Sequence, residues 1–301
     1  MIEEDIMNSE KQKIIKETLN NVVPYIDNLP MGEFIPSSWQ APKTFKYEKL
    51  MVGEVPVEHI VPIKKKKDCV ILQIHGGGYV VALSDPFRTA AVQYSNIAGG
   101  AEVFSLDYRV APTHHYPAAL EDAVKVYKWL LEQGYDNNKV IIVGDSAGGN
   151  LTLATTLYLK DHQIPLPKVV IAISPWTNAA NDFPSVQLNT DKDVILGRNG
   201  LAMGNQIDDP FYFQGADLKE PYVSPVLGDY TGFPNLLIQV GSYEILLDDA
   251  VKVAEKARKS GVNVKITIYE GMSHDFQLLI PTLEESKNAW KEIKEFIEEN
   301  V

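Results

Sequence analysis

Length, composition and charge narrow the functions open to this chain. Its 301 residues can form one large α/β domain or two smaller ones, and its 45% hydrophobic and 23% charged residues are ordinary for a globular protein. The formal net charge of −12 argues against nucleic acid or an anionic membrane as the main partner. The lysine run at 64–67 is expected to be an exposed turn.

The cysteine count and the first residues bear on the cellular compartment. Cys69 is the single cysteine, which excludes a disulfide within the chain, and its apolar neighbours predict a buried, unreactive thiol. The first residues are acidic and lack the basic and then apolar pattern of a signal peptide. Because no stretch approaches the ~18 apolar residues of a membrane span, we expect a cytoplasmic protein without stable membrane association.

Short apolar runs rich in valine and isoleucine predict buried strands. Most lack the polar alternation of a half-exposed strand, as expected where helices cover both faces of a parallel sheet. The predicted strands are 70–74, 102–106, 140–143, 169–173, 236–240 and 264–269, and amphipathic patterns predict helices at 117–132, 150–160, 248–260 and 282–299. This alternation predicts an α/β fold with a mostly parallel central sheet and helices on both faces.

Two segments interrupt the alternation. Residues 1–45 precede the sheet and contain one helical pattern at 11–22, and residues 181–222 separate two strands by more than a crossover needs. The second segment carries Met203, Phe211, Tyr212, Phe213 and Tyr222, which predict an apolar pocket. We interpret both segments as a helical cap over the carboxyl edge of the sheet, with a packed structural extension as the alternative. The α/β core then comprises residues 46–180 and 223–301.

A serine between two glycines follows the third predicted strand. The segment Gly144-Asp145-Ser146-Ala147-Gly148 leads into a predicted helix and has the spacing of a nucleophile elbow. Such a turn leaves no room for side chains at its flanking positions, which are glycine here. It lifts the Ser146 hydroxyl above the sheet, where a histidine can take its proton.

A run of glycines follows the first predicted strand. His75-Gly76-Gly77-Gly78 leaves backbone N–H groups unobstructed, as in the oxyanion loops of esterases. Gly76 and Gly77 are therefore predicted oxyanion donors, and the N–H of Ala147 beside the serine is the third. The spacing does not match the glycine patterns of nucleotide-binding loops.

A histidine and a carboxylate follow the last two predicted strands. His274 lies just after the last strand, at the same edge as the elbow, and is the predicted base, whereas His59 and His162 are interpreted as structural or surface residues. Glu244 is the first carboxylate after the preceding strand and the predicted acid, with Asp248 as the alternative. The order serine, acid, histidine is that of α/β-hydrolases.

Longer motifs extend this pattern from about residue 45 to the carboxyl terminus. They are 75–79 (HGGGY), 107–112 (DYRVAP), 116–122 (YPAALED), 144–150 (GDSAGGN), 221–225 (PYVSP) and 271–274 (GMSH). With them the chain resembles the hormone-sensitive-lipase-like family of carboxylesterases, although the predicted cap matches poorly. By position, Ser146 resembles the family's nucleophile, Glu244 its acid and His274 its base. The family commonly has aspartate where Glu244 stands, though some members use glutamate.

The resemblance implies an α/β-hydrolase fold and a serine carboxylesterase for short- to medium-chain acyl esters. It implies an acyl-enzyme intermediate, no metal or cofactor, and a homodimer as one expected assembly. An amidase or lactone hydrolase with the same triad is the alternative, followed by a non-catalytic small-molecule receptor. Asp107, Tyr108 and Arg109 are expected to brace the oxyanion loop, with a charged pair at the strand end.

Overall fold

One eight-stranded sheet organises the fold. The structure is a computed structural model that describes residues 11–13, 15–16, 32, 37–64, 67–198 and 211–301. Its strands are β1 (Phe45–Val52), β2 (Val55–Pro62), β3 (Val70–Ile74), β4 (Glu102–Leu106), β5 (Val140–Asp145), β6 (Val169–Ile173), β7 (Asn235–Gly241) and β8 (Val264–Tyr269). Their order is β1-β2-β4-β3-β5-β6-β7-β8. β2 is antiparallel to β1 and β4, and all other neighbours are parallel, which confirms the predicted mostly parallel sheet.

Helices cover both faces of this sheet, as predicted. They are α1 (Asp85–Ile97), α2 (Ala118–Glu132), α3 (Ser146–Asp161), α4 (Pro184–Leu188), α5 (Leu247–Lys259), α6 (Phe276–Leu279) and α7 (Glu284–Asn300), with 3₁₀ turns at Asn137–Lys139, Phe211–Phe213 and Pro225–Leu227. Successive side chains of a strand point to opposite faces. In β3, Leu72 therefore packs with α2 and α3, and Ile71 packs with α1 and α7. This two-sided burial explains why the inner strands read as continuous apolar runs.

The sequence patterns did not predict β1, β2 or α1, and one buried ion pair explains much of this. Arg88 of α1 donates from Nε and Nη2 to the carboxylate of Glu58 in β2, at 2.7 Å each, and both side chains are 4% exposed. A charged residue at a core position breaks an apolar pattern. Glu58 and Arg88 can be buried because their charges neutralise each other. The sequence around either residue does not show that the other lies beside it in the fold.

The predictions for Cys69, the helix at 11–22, the lysine run at 64–67 and membrane spans can be compared with the described residues. The Cys69 thiol is buried, as expected. The predicted helix at 11–22 lies mostly outside the described residues, although residues 11–13 and 15–16 are helical, and Lys65, Lys66 and Met203 also lie outside them. Within the described ranges, every helix is too short or too polar to cross a membrane.

Candidate active site

The turn between β5 and α3 exposes Ser146 at the carboxyl edge of the sheet. Ser146 adopts a left-handed backbone with φ of 53°. A Cβ on Gly144 would lie 2.3 Å from the carbonyl oxygen of Gly148, and a Cβ on Gly148 would lie 2.2 Å from that of Ile74. Both flanking positions therefore require glycine, which confirms the predicted tight turn.

The side chains of Ser146, His274 and Glu244 form one hydrogen-bonded chain. The loop after β8 carries His274, and the loop after β7 carries Glu244. His274 Nε2 lies 2.9 Å from Ser146 Oγ, and His274 Nδ1 lies 3.1 Å from Glu244 Oε2. Because an ionised carboxylate only accepts, Nδ1 carries a proton, and in the neutral imidazole Nε2 is left to accept from the serine hydroxyl. This geometry permits proton transfer from serine to histidine.

Glu244 is fully buried and held by two further donors. Its Oε1 accepts from the hydroxyl of Ser174 at 2.7 Å and from the N–H of Gly241 at 2.5 Å. Burial raises the pKa of the Glu244 carboxyl, and the hydrogen bond and charge of His274 oppose that rise. Ser174 was not predicted from the sequence, although its position directly after β6 places it at the same edge of the sheet.

The alternative acid, Asp248, has a different partner. Its Oδ2 accepts from the N–H of Ser185 in α4 at 2.9 Å. Asp248 thus joins α5 to the 181–222 segment, and Glu244 is the carboxylate that contacts His274 Nδ1.

The protonation of His274 is controlled by opposing effects. Burial alone lowers the pKa of its imidazole. The carboxylates of Asp275, which lies 3.1 Å from Nε2, and of Glu244 outweigh that effect and raise the pKa well above its usual value.

The glycine loop after β3 lies against the end of β5. A Cβ on Gly76 would lie 2.2 Å from Oδ2 of Asp145, so the loop passes close to this carboxyl. Gly77 has φ of 105°, and a Cβ there would lie 2.8 Å from Cβ of Val81. Ala147 is buried in the first turn of α3. The loop is thus placed beside the nucleophile candidate, and the oxyanion roles of these residues stay predictions.

Comparisons with known proteins establish the family and the class of reaction. The model of a family described as alpha/beta hydrolase fold matches residues 71–278. An acetyl-hydrolase of Streptomyces hygroscopicus is 36% identical over 238 residues, which are 79% of this chain and 78% of that protein. The crystal structure of esterase EstE5 soaked by p-nitrophenyl butyrate matches with a TM-score of 0.82 at 32% identity, over 97% of this chain and 98% of that one.

A further crystal structure indicates to which group of α/β-hydrolases the chain belongs. An esterase from the bacterial hormone-sensitive lipase family matches with a TM-score of 0.81 at 31% identity, over 97% of this chain and 98% of that one. This chain belongs to the α/β-hydrolase family, among its hormone-sensitive-lipase-like carboxylesterases. It is a carboxylic ester hydrolase of the serine type.

The segment after β4 of this carboxylesterase braces the glycine loop at 75–78 and the chain that follows it, as predicted. The Tyr108 hydroxyl donates to the carbonyl of His75 at 2.7 Å, and Asp107 Oδ1 accepts from the N–H of Leu83 at 3.1 Å. The predicted charged pair is wrong, because Arg109 bonds instead to Asp122 of α2, with Nη2 2.8 Å from Oδ1. Asp122 ends the 116–122 motif, but its pairing with Arg109 was not predicted, because a helical carboxylate does not reveal its partner in the sequence.

The histidines outside the site have structural roles. His59 lies between the carboxylates of Glu48 and Glu102, at 3.0 Å from each, and so ties β1 and β4 to β2. His75 is fully buried, and burial lowers its pKa to about 4, so it is neutral at physiological pH. His162 follows α3 and contacts the carbonyl of Tyr158. These contacts confirm the predictions for His59 and His162.

Described parts of both predicted cap segments hold the loops of the site. Asp193 is buried, and its Oδ2 accepts from the N–H of Ile245 at 3.0 Å. Asn189 donates to the carbonyl of Glu244 at 2.8 Å. Near the other end of the chain, Gln12 accepts from the hydroxyl of Ser273 at 2.6 Å. The division of the carboxylesterase into core and cap stays a prediction.

Tyr212 and Phe213, two of the aromatic residues from which an apolar pocket was predicted, are packed within the protein. Tyr212 and Phe213 are each 2% exposed. The Tyr212 ring stacks on Tyr79, with centroids 4.3 Å apart, and Phe213 meets Trp176 edge-on at 5.5 Å. These rings form a packed wall behind the oxyanion loop, because Tyr79 directly follows its last glycine.

Gly76→Ala is expected to lower kcat/KM of this carboxylesterase by about a hundredfold, since the new methyl group would displace the oxyanion loop from Asp145. Gly228→Ala is the matched control, because its Cβ would meet the flexible end of Leu157 at 2.5 Å, outside the residues assigned to the site. Steady-state kinetics on a p-nitrophenyl ester compare the two. Equal activity of Gly76→Ala and wild type would contradict the assigned close approach.

Proposed function

We propose that this carboxylesterase hydrolyses short- to medium-chain acyl esters through Ser146, His274 and Glu244. The observation that carries the proposal is the 2.9 Å contact from Ser146 Oγ to His274 Nε2, continued by the contact from Nδ1 to Glu244. A serine hydroxyl is a weak nucleophile until a base within hydrogen-bond reach can take its proton.

The reaction proceeds in two steps. Ser146 Oγ attacks the ester carbonyl while its proton passes to His274 Nε2, and Glu244 stabilises the imidazolium that forms. The same proton then moves to the departing alcohol, which leaves an acyl group on Ser146. Water enters, gives its proton to His274 and attacks the acyl carbon, and proton return to Ser146 releases the acid.

Backbone amides stabilise the negative oxygen of each tetrahedral intermediate. The proposed donors are the N–H groups of Gly76, Gly77 and Ala147, and one such donor is worth about 3 kcal/mol. Gly76 lies close to the Asp145 carboxyl, since a Cβ on Gly76 would come within 2.2 Å of Oδ2.

The names of two related proteins support short acyl groups. One is an acetyl-hydrolase, and the other is an esterase soaked by p-nitrophenyl butyrate. The packed wall of Tyr212 and Phe213 leaves these rings unavailable to line a long acyl channel. The cytoplasmic location and the homodimer stay predictions.

A series of p-nitrophenyl esters tests the substrate class. Acetate, butyrate, octanoate and palmitate are compared by kcat/KM, with Ser146→Ala as the measure of background hydrolysis. We expect the highest values for acetate or butyrate and a steep fall at palmitate. Palmitate turned over as fast as butyrate would contradict the short-chain proposal.

Other substrates distinguish the alternatives. The p-nitroanilide of butyric acid and γ-butyrolactone are assayed beside the butyrate ester, and we expect the ester to be hydrolysed fastest. Preferred hydrolysis of the anilide or the lactone would make the protein an amidase or a lactone hydrolase. Tight binding of an ester with no turnover would indicate a receptor.

A further inference from the structure

A second carboxylate contacts His274 at the nitrogen that faces the nucleophile. Oδ2 of Asp275 lies 3.1 Å from Nε2, and Ser146 Oγ lies 2.9 Å from the same atom. The other oxygen, Oδ1, is buried and accepts no hydrogen bond from the part of the chain that the structure describes. The carboxylate and the serine hydroxyl therefore share the one nitrogen on which the proposed mechanism depends.

The backbone fixes the carboxylate in this position. Asp275 adopts a left-handed conformation with φ of 51°, and its N–H donates to Ser174 Oγ at 3.3 Å. Its carbonyl accepts from Leu278 and Leu279 in α6 at 2.9 and 3.0 Å. Since Ser174 also donates to Glu244, one hydroxyl aligns the carboxylates on both sides of the imidazole.

The carboxyl of Asp145 is a further buried group that interacts with the charge of Asp275. Asp145 precedes the nucleophile and is 3% exposed. Burial, and then the charge of Asp275, raise the pKa of the Asp145 carboxyl well above its usual range. The charges of Asp145 and Asp275 therefore oppose each other, and Asp275 is the one of the two that contacts His274 Nε2.

The titratable groups around His274 and Asp275 come from every side of the site. They are Glu244 after β7, Asp193 in the 181–222 segment, Asp145 at the end of β5 and Tyr94 in α1. Glu244 contacts Nδ1 and Asp275 contacts Nε2. Asp275 is thus the carboxylate whose charge lies beside the nitrogen that must lose its proton.

We propose that Asp275 sets the pH at which Ser146 becomes active, by holding the protonated form of His274 at Nε2. This inference rests on the proposed function, in which neutral His274 is the base. A negative charge beside Nε2 stabilises the imidazolium. His274 therefore loses its Nε2 proton, and becomes able to act as a base, only at a higher pH than it would without Asp275. The same charge stabilises the imidazolium that forms in the transition state, so it raises kcat once the base is free.

These two effects have opposite signs at the two ends of the pH profile. Removing the charge is expected to raise kcat/KM on the acid side by about tenfold, because more His274 is neutral there. It is expected to lower the alkaline plateau of kcat, because the imidazolium loses a stabilising partner. A loss of packing alone would lower activity at every pH.

The variants Asp275→Asn and Asp275→Gly test this inference. Both residues tolerate a left-handed backbone, and both remove the charge. The matched control is Asp249→Asn, which changes another buried carboxylate that accepts from Thr177 and Asn178. We expect the acid limb of kcat/KM to move to lower pH in both Asp275 variants and to stay in place in the control.

A second measurement separates this inference from the proposed function. NMR titration of the His274 imidazole in Ser146→Ala, with and without Asp275→Asn, requires no activity, and we expect protonation at lower pH without Asp275. An unmoved acid limb and an unmoved titration would overturn the role of Asp275, as would a uniform loss at every pH. Ester turnover retained by Ser146→Ala would instead overturn the proposed function.

Discussion

Replacing Ser146 by alanine is expected to lower kcat for p-nitrophenyl butyrate by about 10⁴- to 10⁶-fold, because no other hydroxyl is assigned to attack the carbonyl. The free energy of unfolding is expected to change by less than about 1 kcal/mol, since the substitution removes one atom and keeps the Cβ. Steady-state kinetics and urea denaturation of the purified variant measure the two quantities.

The control for this variant removes another hydroxyl. Ser95 of α1 is fully buried and donates to the carbonyl of Ala101 at 2.5 Å, on the face of the sheet covered by α1 and α7. Ser95→Ala is expected to lose stability and to keep kcat. If Ser146→Ala kept its activity while folded, Ser146 would not be the nucleophile.

Glu244→Gln is expected to lower kcat at neutral pH by about 10⁴-fold. The Oε1 atom accepts from Ser174 and Gly241, so a glutamine keeps its carbonyl oxygen there and turns its NH₂ group toward His274. Nδ1 must then accept a hydrogen bond, which moves the ring proton to Nε2. In that tautomer the imidazole cannot take the proton of Ser146.

Asp248→Asn tests the competing assignment. Asp248 accepts from the N–H of Ser185, and an asparagine keeps an accepting oxygen at that position. We expect kcat to stay within a few-fold of wild type. A large loss in Asp248→Asn together with near-normal kinetics in Glu244→Gln would transfer the role of the acid to Asp248.

The strands and helices that could be predicted from the sequence are those whose apolar residues follow a simple, regular pattern. The strands β3, β4, β6 and β8 have the predicted bounds. β3 and β6 are buried at every position, which explains their mostly apolar runs, whereas β8 is the half-exposed edge strand and carries Lys265 and Thr267. The hairpin of β1 and β2 and the helix α1 escaped prediction. Their core positions include Glu58 and Arg88, which are buried only as a pair formed between distant segments.

Two of the missed residues have hydrogen-bond partners that are far away in the chain. Ser174 bonds to Glu244, 70 residues later, and Asp193 accepts from Ile245, 52 residues later. Neither has a spacing or a motif that marks it. A serine after β6 gains its role only because β7 lies next to β6 in the sheet.

The sequence by itself determined the α/β alternation, the elbow at Ser146 and the chain order of serine, acid and histidine. These features depend on local steric restrictions of the backbone, such as the glycines that a tight turn requires. They depend also on the carboxyl ends of parallel strands lying at the same edge of the sheet. The tertiary structure alone decided which carboxylates surround His274. Glu244 reaches Nδ1 and Asp275 reaches Nε2 because the loops after β7 and β8 pack closely, with only room for glycine at 241, where a Cβ would lie 2.0 Å from the carbonyl oxygen of Met272.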